Sequence, residues 1–148
     1  MKNDFKIKIF YADDDEDDRF LFKTAVSELK IPVELSCFSS CNQLEKALAE
    51  QNYICDFVFL DLNMPGKSGL ETLNTLQHVI KNNQLKVIIY TTSAARKVIK
   101  QTYDQNAVLF VQKPVDFKSI LNALEQIITR RLPLQFPISF KNFQYKFI

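Results

Sequence analysis

An α/β fold, with a parallel sheet covered by helices on both faces, is what this sequence predicts, and three observations carry the prediction. Strand-like and helix-like patterns alternate along most of the chain. Five of them read as short apolar runs, as buried parallel strands should. The notable polar residues gather at the ends of those runs, where open α/β sheets border a ligand crevice.

The elements follow in order. Ile7 to Ala12 is the first apolar run, and Phe22, Ala25, Val26 and Leu29 then recur at the three-and-four spacing of one helical stripe. Val33 to Phe38 is the second run, followed by a stripe of Leu44, Ala47 and Leu48. The third run, Cys55 to Leu60, leads into a loop marked by Pro65, Gly66 and Gly69, and then into the stripe Leu70, Leu73, Leu76 and Ile80. Lys86 to Tyr90 precedes a weaker stripe of Ala95, Val98, Ile99 and Thr102. Asn106 stands where that helix must turn into the fifth run, Ala107 to Val111, a place that favours a left-handed residue. Asp116 is placed to cap the last helix, whose stripe is Phe117, Ile120, Leu121, Leu124, Ile127 and Ile128. The reading is (βα)₅, with no internal linker, repeat or low-complexity segment.

Composition narrows the class. The 148 residues suit one domain able to bury its own core, and 47% hydrophobic with 24% charged residues is globular. No apolar run approaches the ~20 residues that cross a bilayer, so no transmembrane segment is expected. Met1 to Lys6 alternates charged and apolar residues, unlike a secretory signal, and the expected location is cytoplasmic. Cys37, Cys41 and Cys55 are odd in number and lack paired spacing, which argues against a disulfide framework or zinc ribbon; Cys55 is expected in the core. His78, the single histidine, is expected on a helix surface. Net charge is +2 but uneven: Asp13 to Asp18 are all acidic, whereas residues 129–148 carry Arg130, Arg131, Lys141 and Lys146 and no acid.

Asp13 and Asp14 end the first strand, Asp61 the third, Thr91 and Thr92 the fourth, and Lys113 the fifth. Three carboxylates in one crevice repel one another unless one holds its proton or a cation binds. Oxygen ligands without histidine or cysteine favour Mg²⁺, which keeps several waters and takes one or two carboxylates together with phosphate oxygens. Lys113 supplies a positive charge and a threonine hydroxyl a donor, so Asp61 is the natural acceptor of a phosphoryl group. The doubled Thr91-Thr92 leaves a one-residue slip open for that hydroxyl. Asp15 to Asp18 are read mainly as a solvated helix start favoured by the helix dipole. An EF-hand is excluded, because with Asp13 first the sixth and twelfth positions are Asp18 and Thr24 instead of glycine and glutamate. An aspartyl-phosphate phosphatase needs a second acid two residues after its nucleophile, and that position is Asn63.

Tyr11-Ala12-Asp13-Asp14-Asp15, Asp61-Leu62-Asn63-Met64-Pro65-Gly66, Thr91-Thr92 and Lys113-Pro114, in that order, resemble the receiver domain of two-component response regulators, of the single-domain chemotaxis type. The resemblance runs from about Lys6 to Arg131, which sets residues 1–131 as the receiver and 132–148 as a C-terminal extension. It implies a flavodoxin-like five-stranded parallel sheet in the order 2-1-3-4-5. It also implies that Asp61 is phosphorylated by a histidine kinase or phosphotransfer protein, with Mg²⁺ bound by Asp14, Asp61 and the backbone carbonyl of Asn63, and by Asp13 mainly through water. Lys113 would contact the acyl phosphate, Thr91 would swing toward it, and Phe110 would follow as the switch aromatic. Thr92 departs from the smaller residue usual beside the phosphoryl site, and Asn106 from a common glycine.

The implied role is a signalling switch, not an enzyme beyond slow autodephosphorylation, whose output is contact with a downstream protein and not direct nucleic-acid binding, since only 17 residues follow Arg131. A degenerate receiver acting as a phosphorylation-independent binding module is the alternative. The extension carries Phe136, Phe140, Phe143, Tyr145 and Phe147, too much apolar surface to leave in water, interleaved with polar residues as in a strand with one apolar face. It is expected to fold back on its own domain, pair in a homodimer, or dock on a partner or membrane surface; Pro133 and Pro137 oppose helix extension.

Overall fold

The computed structural model describes residues 5–82, 85–129 and 139–145. Five parallel strands, β1 (Ile7–Ala12), β2 (Val33–Phe38), β3 (Phe57–Leu60), β4 (Val87–Thr91) and β5 (Leu109–Gln112), form one sheet in the order β2-β1-β3-β4-β5. This is the expected flavodoxin-like order. Helices α1 (Glu16–Ser27), α2 (Cys41–Glu50), α3 (Gly69–Thr75), α4 (Gln77–Ile80), α5 (Arg96–Asp104) and α6 (Phe117–Leu124) connect or follow the strands.

Alternation along the strands divides the core into two layers. Ile9, Tyr11, Phe57, Phe59, Ile88, Tyr90, Leu109 and Val111 face Phe22 and Ala25 of α1 and Ile120 and Leu124 of α6. Phe10, Ala12, Val58, Leu60, Val87, Ile89 and Phe110 face Leu44 and Leu48 of α2, Leu73 of α3, Ile80 of α4 and Ile99 of α5. The central strands are apolar in both directions because both of their faces are covered, whereas β2 at one edge is only half-buried.

Several boundaries differ from the pattern in the sequence. The third strand starts at Phe57 instead of Cys55, which is only half-buried; Asp56 closes that strand's start by accepting a hydrogen bond from the Lys8 backbone N–H (2.7 Å). The single stripe from Leu70 to Ile80 is two helices, broken at Leu76. Apolar spacing survives the break because Leu73, Leu76 and Ile80 all remain buried. The last helix widens into a π-helical turn at Glu125–Thr129, which keeps Ile127 and Ile128 in the core. Asn106 does adopt the left-handed conformation (φ 66°), and Asp116 caps α6 by accepting from the Ser119 N–H (2.8 Å). His78 is exposed on α4, edge-on to Tyr53.

The C-terminal extension closes the free edge of β5. Phe140–Phe143 forms a helical turn, α7, after which Gln144 makes a parallel bridge to Phe110 and the Tyr145 N–H donates to the Phe110 carbonyl (2.8 Å). The aromatics straddle the sheet edge instead of sharing one apolar face. Phe143 is fully buried beside Phe110, whereas Tyr145 enters the opposite layer and donates its hydroxyl to Gln126 Oε1 (2.5 Å). The expectations for Pro133, Phe136, Pro137 and Phe147 fall outside the described residues.

Candidate functional site

The carboxyl ends of β1, β3, β4 and β5 bring the candidate residues together. Asp13 follows β1 directly; it is fully buried, and its backbone N–H is tied to the Phe38 carbonyl of β2 (3.0 Å). Asp14 beside it is exposed. Asp61 follows β3, its N–H bonded to the Ala12 carbonyl (3.1 Å), and is only 4% exposed. Asp13, Asp14 and Asp61 each offer a carboxylate oxygen, and the three oxygens lie within 4.8 Å of one another.

The loop that leaves Asp61 is shaped by two glycines. Gly66 has φ +79°, a conformation that side chains resist. At Gly69 a Cβ would press into the Asp61 carbonyl oxygen and the Leu62 backbone, so only glycine lets α3 start this close to the acceptor strand. Ser68 and Glu71 then form a reciprocal cap on α3.

Thr91 and Thr92 are separated by burial. Thr91 is fully buried, and its hydroxyl donates to Asp61 Oδ1 (2.8 Å), whereas Thr92 points to solvent. The Asn63 N–H also donates to Oδ1 (3.3 Å), leaving Oδ2 facing the Lys113 ammonium at 3.4 Å. Burial pushes the Asp61 carboxyl above the ordinary range, with Lys113 pulling it back and Asp13 pushing it further.

The Lys113 side chain is 7% exposed and shared among three carboxylates: Asp13 Oδ2 at 2.5 Å, Asp18 Oδ2 at 2.8 Å and Asp61 Oδ2 at 3.4 Å. It also lies 5.9 Å from the centre of the Tyr90 ring. Burial alone would lower its pKa, but the hydrogen bonds to Asp13 and Asp18 reverse this and raise it. Lys113 is therefore a fixed positive charge.

Three participants were not singled out from the sequence. Asp18, read there as part of a solvated helix start, is an ion-pair partner of Lys113 because the first turn of α1 passes over the site. Tyr11 is buried, stacks on Phe22 and donates its hydroxyl to Asp13 Oδ2 (2.5 Å). Its signal was available: two residues apart on a strand, Tyr11 and Asp13 share a face. Arg19 donates from its guanidinium to the Asp13 carbonyl (2.7 Å), fastening α1 to the same loop. Phe110 lies one layer below, fully buried on the α5 side of the sheet.

The donor set fits a hard divalent cation, since it offers carboxylate oxygens, one of them exposed, and no sulfur or imidazole. Among the described residues no helix is long and apolar enough to cross a membrane.

Known proteins are similar to this chain in sequence and fold. The chain is 23% identical over 124 residues to the transcriptional regulatory protein GlnL of Bacillus subtilis (strain 168), which covers 84% of this chain but 38% of GlnL. It thus spans little more than a third of that relative's length. Its fold matches the phosphorylated cyanobacterial phytochrome response regulator RcpA with a TM-score of 0.76 at 21% identity, covering 86% of this chain and 97% of that one. The Mn²⁺-bound form of the response regulator Rcp1 gives 0.74 at 20% identity, covering 90% and 97%. The response regulator receiver domain family matches residues 9–125, from within β1 into the end of the last helix, and the chain belongs to that family.

Proposed function

We propose that the chain is a phosphoryl-accepting switch of a two-component system, modified on Asp61 and signalling by protein contact. The observation that supports this most is the position of Asp61: a buried carboxylate with Thr91 on one oxygen and Lys113 facing the other, beside two further acids. A carboxylate oxygen of Asp61 would attack the phosphorus of a phosphohistidine or acetyl phosphate. The phosphorus–nitrogen or phosphorus–oxygen bond to the donor then breaks, the donor leaves with that electron pair, and an acyl phosphate remains.

Asp14 and Asp61 would hold Mg²⁺ with the backbone carbonyl of Asn63, and Asp13 would act through water. The cation, when bound, supplies neutralisation of the phosphoryl oxygens. Lys113 orients the group as a point charge, and Thr91 exchanges its bond to Asp61 for one to a phosphoryl oxygen. Phe110 repacks with it, so the surface that changes is that of α5 and β5. The C-terminal segment lies on that surface, with its Tyr145 N–H on the Phe110 carbonyl.

The donor is a histidine kinase or phosphotransfer protein and the output a downstream protein, acting in the cytoplasm; no catalytic turnover beyond slow loss of the phosphoryl group is expected. Two exposed apolar side chains, Phe20 on α1 and Val115 two residues after Lys113, suit such protein contacts. Incubation with acetyl phosphate and Mg²⁺ should give stoichiometric uptake that excess chelator abolishes, and the measurement is intact-protein mass. Absence of uptake from acetyl phosphate and from phosphotransfer proteins alike would favour the phosphorylation-independent binding module.

A further inference from the structure

Lys113 must reach a phosphoryl group on Asp61, yet its ammonium sits nearer two other carboxylates. Asp13 and Asp18 hold it at 2.5 and 2.8 Å, against 3.4 Å to Asp61. Asp13 is held to a fixed place, because Tyr11 donates to its Oδ2, the Asp15 N–H donates to its Oδ1 (3.0 Å) and Arg19 donates to its carbonyl. Asp18 is the partner that comes from a different element. Its backbone is pinned by the N-cap of α1, where its N–H donates to Asp15 Oδ1 (3.1 Å), and its carboxylate reaches back over the site with 31% of the side chain exposed. Among the described residues, the neighbouring acids Glu16 and Asp17 make no ion pair.

We propose that Asp18 is a positioning residue: it restrains Lys113 away from Asp61 and so sets how readily the lysine engages an incoming phosphoryl group. This rests on the receiver reading above. To serve a phosphoryl group, the ammonium must give up its bond to Asp18, and the strength of that bond is subtracted from the affinity of the site. An ion pair between a buried ammonium and a partly exposed carboxylate lies between an exposed pair and a buried charged hydrogen bond, which corresponds to roughly a three- to tenfold effect.

The test is the affinity for beryllofluoride at saturating Mg²⁺, measured by calorimetry on the full chain. Asp18→Asn, which keeps the backbone cap and side-chain size, should bind about three- to tenfold more tightly and take phosphoryl from acetyl phosphate correspondingly faster. Asp17→Asn makes the same charge change without the contact and should stay within about twofold. Asp18→Glu should restore wild-type behaviour. In a Lys113→Gln background, Asp18→Asn should have no further effect, since its route is through the lysine. Equal gains from Asp17→Asn and Asp18→Asn, no gain from Asp18→Asn, or a gain that persists without Lys113 would each overturn the proposal. Failure of the wild-type chain to bind beryllofluoride would instead sink the receiver reading, and Asp18's role with it.

Discussion

Replacing Lys113 with alanine is expected to leave a protein that still binds beryllofluoride at Asp61 but no longer changes its α5–β5 surface. Lys113 links the acid site to the end of β5: its backbone N–H is bonded to the Thr91 carbonyl (2.8 Å), and its ammonium faces Asp61. Converting a 1:99 equilibrium to 99:1 takes ~5.5 kcal/mol of differential binding, and removing a buried charge-assisted contact forfeits much of that. Chemical shifts along α5 and β5, and hydrogen exchange at the Tyr145 amide bonded to Phe110, report the change. Identical beryllofluoride-induced shifts in wild type and Lys113→Ala would remove the lysine from the mechanism. Without Mg²⁺ the same variant should lose roughly 3–5 kcal/mol of stability, because Asp13 and Asp61 stay buried without their cation, and added Mg²⁺ should recover part of it.

Phe143→Ala should be the most damaging change in the C-terminal segment. The ring is fully buried, 6.3 Å from Phe110 and 5.3 Å from Tyr103 between ring centres, and it helps cover an edge that β5 otherwise presents to solvent. Phenylalanine-to-alanine changes in cores cost roughly 3–5 kcal/mol. Here the segment can instead detach, which limits the loss to its own docking energy, so ~2–4 kcal/mol is expected. Phe140, 43% exposed and resting edge-on to Tyr103, should cost under ~1 kcal/mol on the same change. Chemical denaturation of both variants measures the contrast; equal midpoints for Phe143→Ala and wild type would mean that the segment contributes no stability to the domain.

The sheet and the acid site were readable in the sequence for the same reason. Buried parallel strands leave short apolar runs, and a crevice at their carboxyl ends leaves polar residues directly after them, so Asp13, Asp61, Lys113 and the Thr91-Thr92 pair stand out in the sequence alone. What one-dimensional spacing cannot register is a break that preserves burial. Leu76 stays in the core while the helix is interrupted around it, and the π-helical turn at Glu125–Thr129 adds one residue per turn without exposing Ile127 or Ile128. Asp18 was hidden among six consecutive acids, and only the fold shows that it joins Asp13 in reaching Lys113. The choice between Thr91 and Thr92 needed the strand's exact end, a one-residue matter that decides which hydroxyl faces Asp61. The aromatic segment gave the need for cover but not its form, because straddling a sheet edge uses Phe143 on one face and Tyr145 on the other.

Locating the phosphoryl group tests the central claim most directly. After incubation with acetyl phosphate and Mg²⁺, acid digestion and peptide mass mapping should place a single hydroxylamine-labile phosphoryl group on the peptide that contains Asp61, and Asp61→Asn should abolish its uptake. A phosphoryl group on any other residue of the wild-type chain, or uptake by Asp61→Asn at the wild-type rate, would contradict the account.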